Sequence, residues 1–428
     1  MIKQNLKVII SSSIANMFEW YDYALFGHLA YIIGDKFFPQ SDKSTVLLQA
    51  FLVFAIGYLM RPIGGIFFGI LGDKFGRKTA LSTAVICMSI PTGIIAIIPT
   101  YESIGIASTF CMVFVRMMQG LSMGGALTGS ISFVIEHTDQ KHRGLFGSFS
   151  MSGICTGILL GSAVCYLIKL IMTDAQFNDW GWRLPFIIGI FILATGLYIR
   201  KYTNETPMFD ELRNKGNIAK SPVKKILKEY WPDIIISIFI NSTGSVIFYL
   251  QAIYLMSFLT ITRGFDSGEV NNLTNLCYLL MAFITIFAGS LSDSIGRRKI
   301  YIINLCAIIV LSPFLLQILE TADFVGVIIA QIIMSIMAAT YIGPEPALQA
   351  EFYPTDVRNT ALSMSYNTAT SLFGGTTPYV VEFLYQKTGT IVSCQYYIIA
   401  CCASSIIALF FYKNRSVSKL KSRKYINA

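Results

Sequence analysis

The chain has 428 residues, of which 54% are hydrophobic and 13% charged, with a mean hydropathy of +0.60 and a formal net charge of +9. Soluble proteins carry about 25% charged residues; here the charges cluster between apolar stretches of roughly 20 residues, long enough to cross a hydrocarbon core of about 30 Å as helices. A soluble globular protein is excluded, and without the alternating pattern of a membrane barrel the chain reads as an all-α membrane protein, since backbone groups in lipid must pair within their own segment.

In chain order the apolar runs predict twelve transmembrane helices, at 8–33, 46–71, 80–99, 104–135, 144–172, 183–200, 232–258, 273–291, 300–319, 324–350, 360–385 and 393–412. "MIKQNLK" leads straight into the first of them with no small-residue cleavage site, so no cleaved signal is expected. The first helix carries Glu19 and Asp22, and its Asn16, Trp20, Tyr23 and Gly27 fall on one stripe. The fifth helix places Gly153, Gly157 and Gly161 at four-residue spacing, a face for close helix approach. The nine cysteines form no Cys-x-x-Cys pair and read as packing residues.

The longest polar stretch separates the sixth and seventh helices. It divides the chain into an N-terminal six-helix bundle (1–200), a central linker (201–231), a C-terminal six-helix bundle (232–412) and a short basic tail (413–428). Most lysines and arginines fall in the linker, the tail and the loops on one side, which places that side and both termini in the cytoplasm. The positive charge is thus a topological signal. No zinc-ligand spacing or aromatic-rich basic strand supports nucleic-acid binding, and no cofactor, metal or obligate protein partner is implied.

Between the second and third helices the chain reads "GDKFGRKT", and between the eighth and ninth "SDSIGRRK". Asp293 lies 220 residues after Asp73, and Gly289 lies 220 after Gly69, the signature of an internal repeat. Asp73 is expected near the start of the third helix, where the dipole favours an anion. Gly76 and Gly296 permit a sharp turn, and Arg77 and Arg297 supply cations. A phosphate-binding loop is excluded, because its pattern needs glycine where Arg77 stands.

This doubled loop resembles that of the major facilitator superfamily. Further stretches resemble its metabolite:proton symporter branch, and within it the proline/betaine symporters: "NMFEWYDYALFG" (Asn16–Gly27), "RPIGGIFFGILGDKFGRK" (Arg61–Lys78), "RMMQGLSMGG" (Arg116–Gly125), "DWGWRLPF" (Asp179–Phe186), "ETPMF" (Glu205–Phe209) and "EFYPTDVRNTALSMSYN" (Glu351–Asn367). The resemblance implies two pseudo-symmetric six-helix bundles working by alternating access. It also implies a proton-coupled symporter of a small solute in the bacterial inner membrane. Ile158, where the superfamily's antiporters place proline after Gly157, agrees with symport. One departure stands out: the branch's usual glutamate after Gly124-Gly125 is here Ala126, and restoring it is expected to be tolerated.

Ionisable groups inside a membrane are expensive and mark candidate sites. Substrate or proton binding is assigned to Asn16, Glu19, Trp20, Asp22, Tyr23, Arg61, Arg116, Tyr249, Tyr254 and Glu345. Glu19 is the natural protonatable group, unless it only pairs with Arg61 or Arg116, and the arginines could bind a carboxylate bidentately. Aromatic faces such as Phe248, Tyr249 and Tyr254 suit an ammonium. Gating is assigned to Asp73, Gly76, Arg77, Glu136, Arg143, Asp293, Gly296, Arg297, Glu351 and Arg358. The expected function is proton symport of a zwitterion such as proline or betaine. A dicarboxylate such as 2-oxoglutarate or citrate, or a sensor that kept the fold without transporting, are the alternatives. No nucleophile–base pair or metal cluster suggests an enzyme.

Overall fold

The computed structural model describes residues 2–39 and 43–426, with side chains for 6–39, 53 and 56–412. Its helices are α1 (Ile2–His28, continued by Ala30–Phe37), α2 (Lys43–Phe75), α3 (Arg77–Ile97), α4 (Ile106–His137), α5 (Arg143–Ile171) and α6 (within Gly181–Tyr202). The second half has α7 (Pro222–Thr262), α8 (Ser267–Ile295), α9 (Arg297–Thr321), α10 (Phe324–Glu351), α11 (Arg358–Ala369, continued by Thr377–Thr388) and α12 (Cys394–Ile426). Among the described residues, nine of these are long and apolar enough by themselves to cross a membrane. Of the others, α1 carries Glu19 and Asp22, α11 is interrupted and opens on Arg358, Asn359 and Thr360, and part of α2 lies outside the residues whose side chains are described. A helix hydrophobic all round suits lipid; one with polar groups turned to a bundle interior needs less hydropathy.

Large apolar side chains face outward as a lipid-exposed coat, Phe110, Phe114, Phe283, Phe287 and Phe314 among them, while Glu19, Arg61, Arg116, Glu136 and Glu345 are buried within. Several helices depart from one regular rod. Pro344 follows Gly343 and breaks α10 because proline has no N–H to continue the ladder. In α11 a π turn at Thr370–Gly374 precedes Thr377 and Pro378, again where the ladder must open. In α7 π turns at Leu250–Tyr254 and Phe258–Thr262 have no proline or glycine to account for them. The last helix runs on to Ile426, past the boundary expected at 412.

Close approaches set the packing. A side chain at Gly157 would meet the Met17 carbonyl oxygen at 2.2 Å and one at Gly153 the Ser13 carbonyl at 2.7 Å, so the glycine face of α5 seats α1. Across the two halves Gly144 of α5 and Gly289 of α8 abut, a Cβ on either falling within 2.5 Å of the other's carbonyl oxygen. Helix α2 lies on α11 in the same way, Gly69 against Thr360. These two contacts, α5 with α8 and α2 with α11, are the seams along which the halves meet.

Candidate functional site

At one end of the bundle the repeated loops tie the seams. Asp73 lies in the last turn of α2, not at the start of α3 as the sequence suggests. Its carboxylate accepts the backbone N–H groups of Asn359 (3.1 Å) and Thr360 (2.8 Å), at the first turn of α11 in the opposite half. Asp293 in the last turn of α8 does the same for α5, accepting from Gly144 (2.8 Å) and Leu145 (2.9 Å). The dipole argument for an anion holds; the helix it serves is in the other half, because both aspartates point across the seam.

Arg77 Nη2 lies 3.3 Å from Asp73 and its Nε 2.9 Å from Glu136, with both pairs fully buried. Glu136 also takes Arg358 Nη1 at 2.8 Å, crossing from α4 to α11, and the Thr206 hydroxyl at 2.6 Å. Glu205 accepts the backbone N–H groups of Arg77 (2.9 Å), Lys78 (3.2 Å) and Thr206 (2.9 Å). Burial pushes its carboxyl up from the ordinary glutamate value, against the pull of those N–H groups and of Arg77. In the second copy Arg297 lies 3.3 Å from Asp293 and 3.2 Å from Glu351, in a more open setting. Gly76 and Gly296 sit at φ +108° and +98°, a region that side chains disfavour. Arg143 opens α5 close to Arg297, Glu351 and Arg358, without an ion pair among the described residues.

Midway along the bundle, Trp20, Phe248, Tyr249, Glu345, Tyr366 and Thr370, drawn from both halves, line a cavity of about 20 Å³, room for little more than one water. The Tyr58 and Tyr249 hydroxyls meet in a short hydrogen bond from α2 to α7. Trp20 stands edge-on to Phe248 at 5.6 Å, and Tyr23 edge-on to Tyr58 at 5.6 Å. Arg61 lies 5.1 Å from the Tyr58 ring. Its three guanidinium nitrogens and both oxygens of Glu19 are buried without hydrogen-bond partners among the described residues. The two charges are near enough to act on each other without touching, and Tyr366 lies in the field of Glu19, Arg61 and Glu345 together. No cation pairs with Glu345 among the described residues.

The remaining sequence candidates lie elsewhere. Asp22 meets Arg116 at 3.5 Å and the Gln119 amide at 2.9 Å, and Arg116 stacks 3.7 Å over Phe26. Arg116 is therefore the partner of Asp22, and Glu19 faces Arg61. Asn16 donates to Ser130 (2.9 Å) and the Ser150 carbonyl (3.2 Å), joining α1, α4 and α5. The Tyr254 hydroxyl donates to Glu382 at 2.9 Å, away from the cavity. Ala126 is buried among Phe68, Leu71, Ala84 and Cys87. These apolar surroundings weigh against the expectation that a glutamate there is tolerated, since a buried unpaired charge costs several kcal/mol. Sequence reasoning missed Tyr58 and Tyr366. Tyr58 lies three residues before Arg61 and so on the same helical face, and Tyr366 lies inside the quoted stretch Glu351–Asn367.

Residues 8–233 match the family described as "Sugar (and other) transporter", and residues 234–425 that described as "Major Facilitator Superfamily". The chain belongs to the major facilitator superfamily. It is a multi-pass membrane transporter and not an enzyme. It is 32% identical over 426 residues to the "Proline/betaine transporter" of Escherichia coli (strain K12), covering 97% of this chain and 85% of that one. Among solved structures, the proton:xylose symporter XylE bound to 6-bromo-6-deoxy-D-glucose superposes with a TM-score of 0.79 at 17% identity, over 96% of each chain. The human organic anion transporter MFSD10 gives 0.68 at 14% identity, over 95% of this chain and 99% of that one. These two likenesses concern the fold of the transporter alone.

Proposed function

We propose that this transporter is a proton-coupled symporter that imports a small zwitterion of the proline or betaine kind across the bacterial cytoplasmic membrane. The loops at 72–79 and 292–299 and both termini lie in the cytoplasm in this reading, as the Lys and Arg bias requires. Its two bundles rock about the central cavity, and Asp73, Gly76, Arg77, Glu136, Asp293, Gly296, Arg297, Glu351 and Arg358 form the gate on the cytoplasmic side, with Arg143 beside them.

One observation carries the reading: among the described residues Glu19 and Arg61 are buried in the bundle interior without an ion pair between them, beside Tyr58 and in the field of Tyr366 of the other half. Buried polar groups left unpaired are costly, so such a cluster suits a site that a charged solute and a proton complete. Arg61 offers a solute carboxylate two parallel N–H donors. Glu345 and the faces of Trp20 and Phe248 offer a cationic nitrogen both charge and π density, and Glu19 takes the proton. A dicarboxylate would crowd two anions onto Arg61 alone, which disfavours it. The relative named for proline and betaine supports the same solute class.

The test is uptake into proteoliposomes of radiolabelled proline, betaine, 2-oxoglutarate and citrate, with and without a proton gradient. Proline or betaine should accumulate only with the gradient, and Glu19→Gln should abolish accumulation while sparing solute exchange. Accumulation of the dicarboxylates alone would overturn the zwitterion reading. Ligand binding without any uptake would make the protein a sensor. Wild-type accumulation by Glu19→Gln would move the proton to Glu345.

A further inference from the structure

Away from the central cavity, a groove of about 750 Å³ opens on the outer surface where the end of α2 meets the start of α7, lined by Ile70, Lys74, Ser221–Lys224, Leu227 and Lys228. Its wall is almost wholly apolar, from Ile70, Val223 and Leu227, and its rim carries three ammonium groups. Helical spacing puts Ile70 and Lys74 on one face of α2, and Lys224, Leu227 and Lys228 on one face of α7. Among the described residues none of these three lysines makes an ion pair or a side-chain hydrogen bond. Their neighbour Lys225, by contrast, is held by Asp356 at 2.5 Å.

Exposed lysines on a helix end are ordinarily a solvated face. Here they crown an apolar track that continues along the bundle. On α2 it passes exposed Phe67 and Ile63, and on α7 exposed Trp231 and Ile235, each at one-turn spacing from the groove residues. The lysines sit at the ends of their helices, the level of lipid headgroups, and Trp231 is a residue type that favours that level. An occupant complementary to this surface has an anionic head and long apolar chains. A soluble anion would leave the track bare, and an uncharged lipid would leave three cations without a counter-charge.

We propose that this groove is a binding site for an anionic phospholipid, its phosphate held by Lys74, Lys224 and Lys228 and an acyl chain lying between α2 and α7. The two walls belong to opposite halves of the transporter, and Lys74 follows the gate residue Asp73 directly. A lipid seated there bridges the halves on the outside of the seam that Asp73 closes from within. It therefore favours the state in which this end is shut.

The experiment is native mass spectrometry of the purified full-length protein in detergent, with phosphatidylglycerol and phosphatidylcholine added in equal amounts. The wild type should keep phosphatidylglycerol and shed phosphatidylcholine. The variant K74Q/K224Q/K228Q should retain roughly tenfold less or lower still, each lysine contributing to headgroup attraction, whereas K141Q/K201Q/K299Q, with equal charge loss elsewhere, should match the wild type. Leu227→Gln, which keeps all the charges, should also lose lipid if the acyl track matters. Equal retention by the two triple variants, equal retention of both lipids, or displacement of phosphatidylglycerol by water-soluble glycerol 3-phosphate would each overturn the proposal.

Discussion

The two loop copies share a sequence pattern and a backbone turn, yet they hold the halves together with different strength. Around Asp73 every charged partner is sealed: the side chains of Arg77, Asp73 and Glu136 are completely buried, and Glu136 reaches Arg358 of the other half. Around Asp293 the side chains of Arg297 and Glu351 keep 16% and 27% of their exposure, and their ion pairs stay within the C-terminal half. A buried charge network is costly to break, whereas an exposed one is screened by water. The first copy thus acts as a lock across the seam. The second is chiefly a helix cap, joined to the other half by backbone groups of α5.

Removing the arginines puts the difference at its widest. Arg77→Ala leaves Glu136 and Asp73 buried short of a partner and should lower stability by about 3–5 kcal/mol, whereas Arg297→Ala, whose partners keep some contact with water, should lose clearly less. Thermal unfolding in detergent reads both, and equal losses would erase the distinction. The glycines come next. An added Cβ at Gly76 would stand 2.0 Å from Glu205 Oε2 in a positive-φ turn, while at Gly296 it would meet nothing within 4 Å. Gly76→Ala should therefore cost strain plus a clash, and Gly296→Ala only the strain, about 1 kcal/mol.

The aspartates themselves test function. Asp73→Asn should slow turnover about tenfold with solute affinity preserved, and Asp293→Asn should slow it about two- to fivefold; loss of binding at normal turnover would refute the gating role. The smallest effect is one of pH. Glu205 has a raised value in the folded protein, so the native state holds its proton longer than the unfolded chain does. Stability then falls as pH rises from the ordinary glutamate value through the raised one. Glu205→Gln should flatten that decline in unfolding measured across mildly acidic pH. At the second loop the nearest comparable carboxylate, Glu351, meets the Arg297 side chain instead of the loop's backbone N–H groups, and an unchanged slope in the variant would show that Glu205 is not its source.

Much of this was open to reading in the residues. Apolar run length marks the helices, and the 220-residue repeat marks the two halves, because both are properties of the chain taken locally or in register. Charge in a membrane span singles out Glu19, Arg61 and Glu345 in the same way. What the sequence hides is partnership. Nothing local says that Asp73 serves α11 and not the adjacent α3, or that Arg116 answers Asp22 and leaves Arg61 to Glu19, since these depend on how twelve helices rotate against one another. The π turns in α7 escape too, having no proline or glycine to announce them, and Tyr58 passes for ordinary packing among many tyrosines. Ala126 looked like a missing player in a coupling network; its apolar surroundings show only why alanine fits.

The hydroxyl contact between Tyr58 and Tyr249, above a cavity with room for one water, has a bearing on how tightly this protein can hold its cargo. On the proposed site, a solute the size of an amino acid needs more room than this cavity gives, so binding there begins with an uphill opening of the packed side chains around it, those two rings among them. The dissociation constant measured from outside is then the true one for the opened site divided by the small fraction of molecules that are open. Part of the intrinsic affinity is absorbed in separating the rings, which leaves the loaded site less sticky and its solute easier to let go on the far side.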